Sequence, residues 1–219
     1  MAVDPQFEAR LSQFIDRQFP GSSVGAVDQL TSGASQQTFR VRTRSRDGVQ
    51  RDYALRRAQP GLAASSQGQL STSAEVALLR LAQSASVPVP NVICELEPRH
   101  DLGEGYLMEW LEGETLGHRI VKLPELAEMR ATLAYECGQT LAKIHALPVP
   151  HSLRRVLPCV SPEVLVRETW DAYIALNTPQ PMIDFTAQWL LSHVPKTVTQ
   201  CLVHGDFRNG NLMVSKTGI

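Results

Sequence analysis

The spacing of apolar residues changes character once along this chain, and that change limits the folds open to it. From Val27 the apolar positions alternate in short runs separated by turn residues, whereas beyond Gly113 they recur every three to four positions over longer stretches. Ahead of the first run, Phe7, Leu11, Phe14, Ile15 and Phe19 predict a helix over 5–19 that Pro20 and Gly21 stop. Strands are expected at 27–30, 38–43 and 53–56, with Asp47-Gly48 as a hairpin turn. Residues 59–69, rich in Gly, Ala, Ser and Gln, read as a crossover into a helix over 72–81. Pro88 and Pro90 break that helix before strands at 92–94 and 106–110. Helices follow at 125–146, 162–176 and 182–193. The class expected is α+β, with a β-rich lobe over 1–111 and a helical lobe over 112–219.

Near the C-terminus stands His204-Gly205-Asp206-Phe207-Arg208-Asn209-Gly210-Asn211, between two apolar runs at 200–203 and 212–214 that read as strands. Phosphotransfer from ATP to a hydroxyl needs a carboxylate to accept the hydroxyl proton. It also needs a neutral oxygen to hold magnesium on the triphosphate. An Asp with an Asn five residues later supplies both from one turn. The same residues also suit a polar β-turn whose Asp and Asn bond only their own backbone, so the rest of the chain has to decide.

Bulk properties narrow the classes. A formal charge of -1 gives no general attraction to nucleic acid or to an anionic membrane. The acidic N-terminus has no apolar core of a secretory signal, and no run approaches transmembrane length. Cys94, Cys137, Cys159 and Cys201 form no close pair and read as reduced core residues of a cytoplasmic protein. The six histidines show no metal-ligand spacing, and His145 reads as a helix-end residue.

Other segments suit a nucleotide. Small residues in Thr31-Ser32-Gly33-Ala34-Ser35-Gln36-Gln37-Thr38 would let backbone N–H groups approach phosphate, with Ser35 adding a hydroxyl; a plain hairpin loop is the alternative. Arg56 ends the third strand, where a cation reaches phosphates, or is simply solvated beside Arg57. Glu75 either completes a capping box with Thr72 or pairs with Arg56. Between Tyr106 and Gly113, backbone at Glu109 and Leu111 could bond an adenine edge with Met108 packed nearby. His204 reads as a brace for the loop rather than a proton carrier.

Taken in order, these pieces resemble the aminoglycoside phosphotransferase and choline kinase group, whose fold is related to the protein kinases. The likeness runs through Ser32 to Phe39, Tyr53 to Arg57, Glu75, the hinge-like Tyr106 to Gly113, and His204 to Asn211. It extends to the branch that includes the kinase-like domain attached to some acyl-CoA dehydrogenases, through Arg167-Glu168-Thr169-Trp170 and the stretch from Trp189 to Pro195. The resemblance implies a bilobal kinase-like fold and the cofactors ATP and Mg2+. Asp206, Arg208 and His204 would be the catalytic residues and Asn211 the metal ligand. Ser32, Gly33, Ser35, Gln36, Arg56, Glu75, Met108, Glu109 and Leu111 would bind the nucleotide.

The implied partner is a small hydroxylated molecule, aminoglycoside-like or a hydroxyacyl metabolite. Residues 162–193 offer only Glu163, Glu168, Asp171 and Asp184, a weak platform for a polycation. Two departures stand out. Arg56 occupies the place of the family's lysine, and the sequence stops at Ile219, ahead of the strand that carries the family's second metal ligand. The expected explanation of the second is a helical lobe that is incomplete in these 219 residues. A nucleotide-binding module without phosphotransfer is the alternative function.

Overall fold

The computed structural model of the chain describes residues 4–30, 36–59, 70–197 and 199–219. Ser32, Gly33 and Ser35 lie outside the described residues, as does most of the 59–69 crossover. Helix α1 (Pro5–Gln18) starts where the Asp4 side chain accepts a hydrogen bond from the Gln6 N–H, with proline at the first position. Three strands follow, β1 (Ser23–Leu30), β2 (Gln36–Arg44) and β3 (Gln50–Ala58). All three are longer than their apolar alternation indicates, because cross-strand pairing also recruits flanking residues: Ser23 to Ala26 in β1, Gln36, Gln37 and Arg44 in β2, and Gln50 to Asp52 with Arg57 and Ala58 in β3. The β2–β3 turn contains Asp47-Gly48 as expected, with Gly48 N–H bonded to the Ser45 carbonyl at 3.0 Å.

Helix α2 (Thr72–Ser84) precedes β4 (Val92–Glu95) and β5 (Gly105–Glu109). The five strands make one antiparallel sheet in the order β1-β2-β3-β5-β4. Alternation gives this sheet two unlike faces. Phe39, Val41, Tyr53, Leu55 and Leu107 point to one side and pack with Phe7, Leu11, Phe14 and Ile15 of α1. Arg40, Ala54, Arg56, Tyr106 and Met108 point to the other, where register sets Thr38 opposite Arg56 and Arg56 opposite Tyr106. Val76 of α2 packs there with Tyr106 and Val92.

The remaining segments are α3 (Gly117–Lys122), α4 (Ala127–His145), α5 (His151–Arg154), α6 (Pro162–Ala175) and α7 (Pro181–Ser192). The described chain forms two compact units, Met1–Val149 with Leu202–Ile219, and Pro150–Cys201. Among the described residues no helix is long and apolar enough to cross a membrane.

Two expectations are corrected. No strand forms at 200–203, and 212–214 contributes only an isolated bridge from Val214 to Glu114. Leu202 is held by its side chain, against Ala82, Val87, Ile144 and Leu147, and has no neighbouring strand to complete a ladder. Cys159 and Cys201 are exposed, not core, since the unit that holds them buries few side chains. Cys94 is half-buried, and that burial pushes its thiol up to about 11.

Candidate active site

The described polar side chains of interest form two clusters, one on the sheet and one on the loop 204–211. Both lie in the larger unit. On the sheet, Arg56 extends from the face opposite α1, and its Nη2 lies 3.3 Å from Glu75 Oε1. Gln36 joins them: its Oε1 accepts from Arg56 Nε, and its Nε2 donates to Glu75 Oε2 at 3.3 Å. The Tyr106 hydroxyl donates to Glu75 Oε1 at 3.0 Å. Burial pushes the Tyr106 phenol well above its usual range, so it stays a donor to the carboxylate.

The local reason for this geometry is the helix start. The cap of α2 is Ser71, whose Oγ accepts from the Ala74 N–H at 3.3 Å. The capping box of Thr72 with Glu75 is therefore corrected: the helix begins one residue earlier than that motif requires, and Glu75 turns to the sheet instead.

The second cluster is held at both ends. Leu202 and Phe207 pack against Ala82, Val87, Ile144 and Leu147, while Val214 is buried and exchanges two backbone hydrogen bonds with Glu114, 2.8 and 2.9 Å. Between these anchors the backbone turns sharply through Gly205 (φ 79°) and Gly210 (φ 97°). The Asn211 N–H closes the bend on the Arg208 carbonyl at 3.0 Å. Asn211 Nδ2 donates to Asp206 Oδ2 at 2.7 Å and to the Asp206 carbonyl at 2.9 Å. Arg208 Nε donates to Asp206 Oδ1 at 2.8 Å. The His204 ring meets Phe207 edge-on, and its Nδ1 accepts from the Asp206 N–H at 3.3 Å.

The Arg208 hydrogen bond, seconded by Asn211, holds the Asp206 carboxyl below its ordinary range. The loop thus presents an ionised carboxylate coupled to a carboxamide. With its nitrogen committed to Asp206, Asn211 has its carbonyl oxygen left for a cation. Among the described residues no group of three or more His, Cys, Asp or Glu gathers to hold a metal alone. A magnesium ion on a triphosphate needs few protein ligands, and Asn211 suits that demand.

No hydrogen bond or ion pair joins the two clusters among the described residues. At the end of β5, Met108 packs beside Val76, Val92 and Tyr106. The Glu109 N–H donates to the Asn91 carbonyl at 2.9 Å, and the Glu109 carboxylate accepts from the Asn91 N–H at 2.8 Å. Both groups therefore serve as a staple between β4 and β5. The Leu111 N–H makes no hydrogen bond among the described residues. Sequence reading missed Tyr106 as a partner of Glu75, since strand register carries no residue-type signal. It also missed the group of Arg40, Asp52, Trp110 and Glu112.

The antiparallel sheet with its paired strand arginine and helix glutamate, the helices that follow, and the Asp–Asn loop together define a kinase-like phosphotransferase class. The chain belongs to the phosphotransferase enzyme family APH, whose family model matches residues 26–219. Three similar proteins are each matched over only part of their own length. A probable acyl-CoA dehydrogenase of Arabidopsis thaliana is 29% identical over 203 residues, 85% of this chain and 24% of that protein. Acyl-CoA dehydrogenase family member 10 of Mus musculus is 29% identical over 201 residues, 87% of this chain and 18% of that protein. Family member 11 of Gallus gallus is 28% identical over 207 residues, 91% and 25%. The chain spans about a quarter or less of the length of these relatives.

Proposed function

We propose that the protein is an ATP-dependent O-phosphotransferase of the cytoplasm acting on a small hydroxylated molecule. In this reading residues 1–111 form the nucleotide-holding lobe and 112–219 the catalytic lobe. Arg56, fixed by Glu75 and Gln36, meets the α- and β-phosphates, with Ser32, Gly33 and Ser35 covering them. Glu109 and Leu111 offer backbone groups to the adenine edge, beside Met108. Asp206 accepts the acceptor hydroxyl's proton as that oxygen bonds the γ-phosphorus; the bond from phosphorus to the bridging oxygen breaks and ADP leaves. Asn211 holds Mg2+, which offsets charge on the phosphate oxygens. Arg208 brings positive charge beside the reacting carboxylate, and His204 steadies the loop.

A depressed carboxyl suits this role. In a loose transition state the base orients the hydroxyl more than it strips it, and each Asp206 oxygen keeps a lone pair beyond its present hydrogen bond. For the acceptor, the dehydrogenase names of the relatives favour a hydroxyacyl metabolite over an aminoglycoside.

The observation that carries the reading is the Asn211 side chain bonded 2.7 Å from Asp206 across one tight bend. Asp206→Asn should reduce turnover roughly a hundredfold to ten-thousandfold, the range for a positioned general base, with ATP binding retained. Wild-type turnover in that variant removes Asp206 from the mechanism. Arg56 in the lysine position favours one other reading, a nucleotide-binding module. ATP binding that ignores magnesium, with no turnover on any alcohol, is its signature.

A further inference from the structure

The geometry points to Arg40 as a positioning residue that latches the segment after β5 and so sets where the nucleotide base is read. The inference rests on the ATP-binding reading above. Arg40 stands on the same sheet face as Arg56, opposite Ala54 in register. Its Nε donates to Asp52 Oδ2 at 2.6 Å and its Nη2 to Glu112 Oε1 at 2.9 Å. The guanidinium carbon lies 4.4 Å from the centre of the Trp110 ring. Trp110 Nε1 donates to the same Glu112 oxygen at 2.7 Å, closing a three-membered network. Trp110 and Glu112 bracket Leu111, the residue whose N–H has no partner among the described residues.

β5 ends at Glu109, and the next backbone pairing is the bridge from Glu114 to Val214. Across residues 110–113 no cross-strand pairing is seen, so side chains must hold the segment to the sheet. Arg40 does this with one planar cation that stacks and forks at once, which a lysine cannot reproduce. Asp52 orients it from β3, and the Arg40 and Asp52 side chains are only 27% and 22% exposed. A latch of this kind selects for the base, because it fixes Leu111 without touching the phosphate cluster around Arg56.

Calorimetry with ATP and with inorganic tripolyphosphate, both with magnesium, tests this. Arg40→Leu should weaken ATP binding about tenfold, a size in keeping with one cation–π contact plus its partly exposed ion pairs. Tripolyphosphate affinity should stay within about twofold, since it reads only the phosphate cluster. Arg40→Lys should fall nearly as far as Arg40→Leu. Glu112→Gln, at a side chain that is 75% exposed, should show the same ATP-only loss at about threefold. Unchanged ATP affinity in Arg40→Leu or Glu112→Gln overturns the latch, as does an equal loss for both ligands. Failure of the wild-type protein to bind ATP overturns the function itself, which keeps the two failures distinct.

Discussion

Strand alternation sends Arg56 and Arg57 to opposite faces of the sheet. Arg57 lies over Phe7 at 4.0 Å and Phe39 at 5.3 Å, and its Nη1 donates to the Leu102 carbonyl at 3.2 Å. Burial there lowers its affinity for a proton, and its work is structural. Arg56 faces Glu75 instead. Nothing in the pair Arg-Arg says which one meets the helix that covers the core; only register with Phe39 and Tyr106 settles it. On the loop, the same scale yields a pH prediction. The Asp206 carboxyl is lowered in the folded protein, chiefly by Arg208. Its ionised form, and the stability its pairing adds, is therefore complete above the ordinary carboxylate range and lost only as pH falls through the depressed value. Arg208→Gln removes the cause and lets the carboxyl rise. The acid limb of kcat/KM should shift to higher pH in that variant, and an unmoved limb would separate Asp206 from the titrating base.

At the scale of elements, legibility followed length and periodicity. Helices α1, α4, α6 and α7 lie within a few residues of their sequence ranges, because long three-to-four spacing has no competing solution. The run 200–203 has strand-like composition yet forms no ladder, since a strand needs a neighbour that the local sequence does not announce. The capping-box motif places the start of α2 at Thr72, yet Ser71 beside it has equal capping chemistry and takes the cap. The hydrogen bond from Ala74 to Ser71 settles the start and thereby frees Glu75 for Arg56, so one residue of helix phase decides whether the sheet cluster exists. Ser71→Ala should destabilise the protein by about 1 kcal/mol in chemical denaturation, the usual cost of a lost cap. Thr72→Ala should stay within about 0.5 kcal/mol of wild type, since Thr72 is the first helical residue and not the cap, and its hydroxyl makes no hydrogen bond among the described residues. The reverse order would restore the capping box and withdraw the helix-phase argument.

Across the whole molecule, burial is unevenly shared between the two units. The larger one holds all the described core clusters, built on α1 and the sheet, on α2 with α4, on α2 with β4 and β5, and on α3 with Met129 and Val214. In Pro150–Cys201, by contrast, Leu153 and Ala187 are the buried hydrophobic residues among those described. Its helices α6 and α7 meet through polar ties, Trp170 Nε1 to Asp184 at 2.8 Å and the Tyr173 hydroxyl with the Gln180 backbone. Between them runs an open apolar groove of about 570 Å³, lined by Leu165, Trp170, Met182 and Leu190 among others. Helices of 14 and 12 residues are marginal by themselves in water, and two buried hydrophobic side chains cannot offset the entropy of ordering the segment from Pro150 to Cys201. Amphipathic periodicity told where these helices run, but it does not tell how much of their apolar face is covered. A peptide of residues 150–201 should therefore show weak helical circular dichroism and no cooperative thermal transition, with signal falling gradually on heating. A sigmoidal melt from the isolated peptide would mean that contacts within the helix pair suffice, and that its exposed apolar side chains cost it less than their area implies.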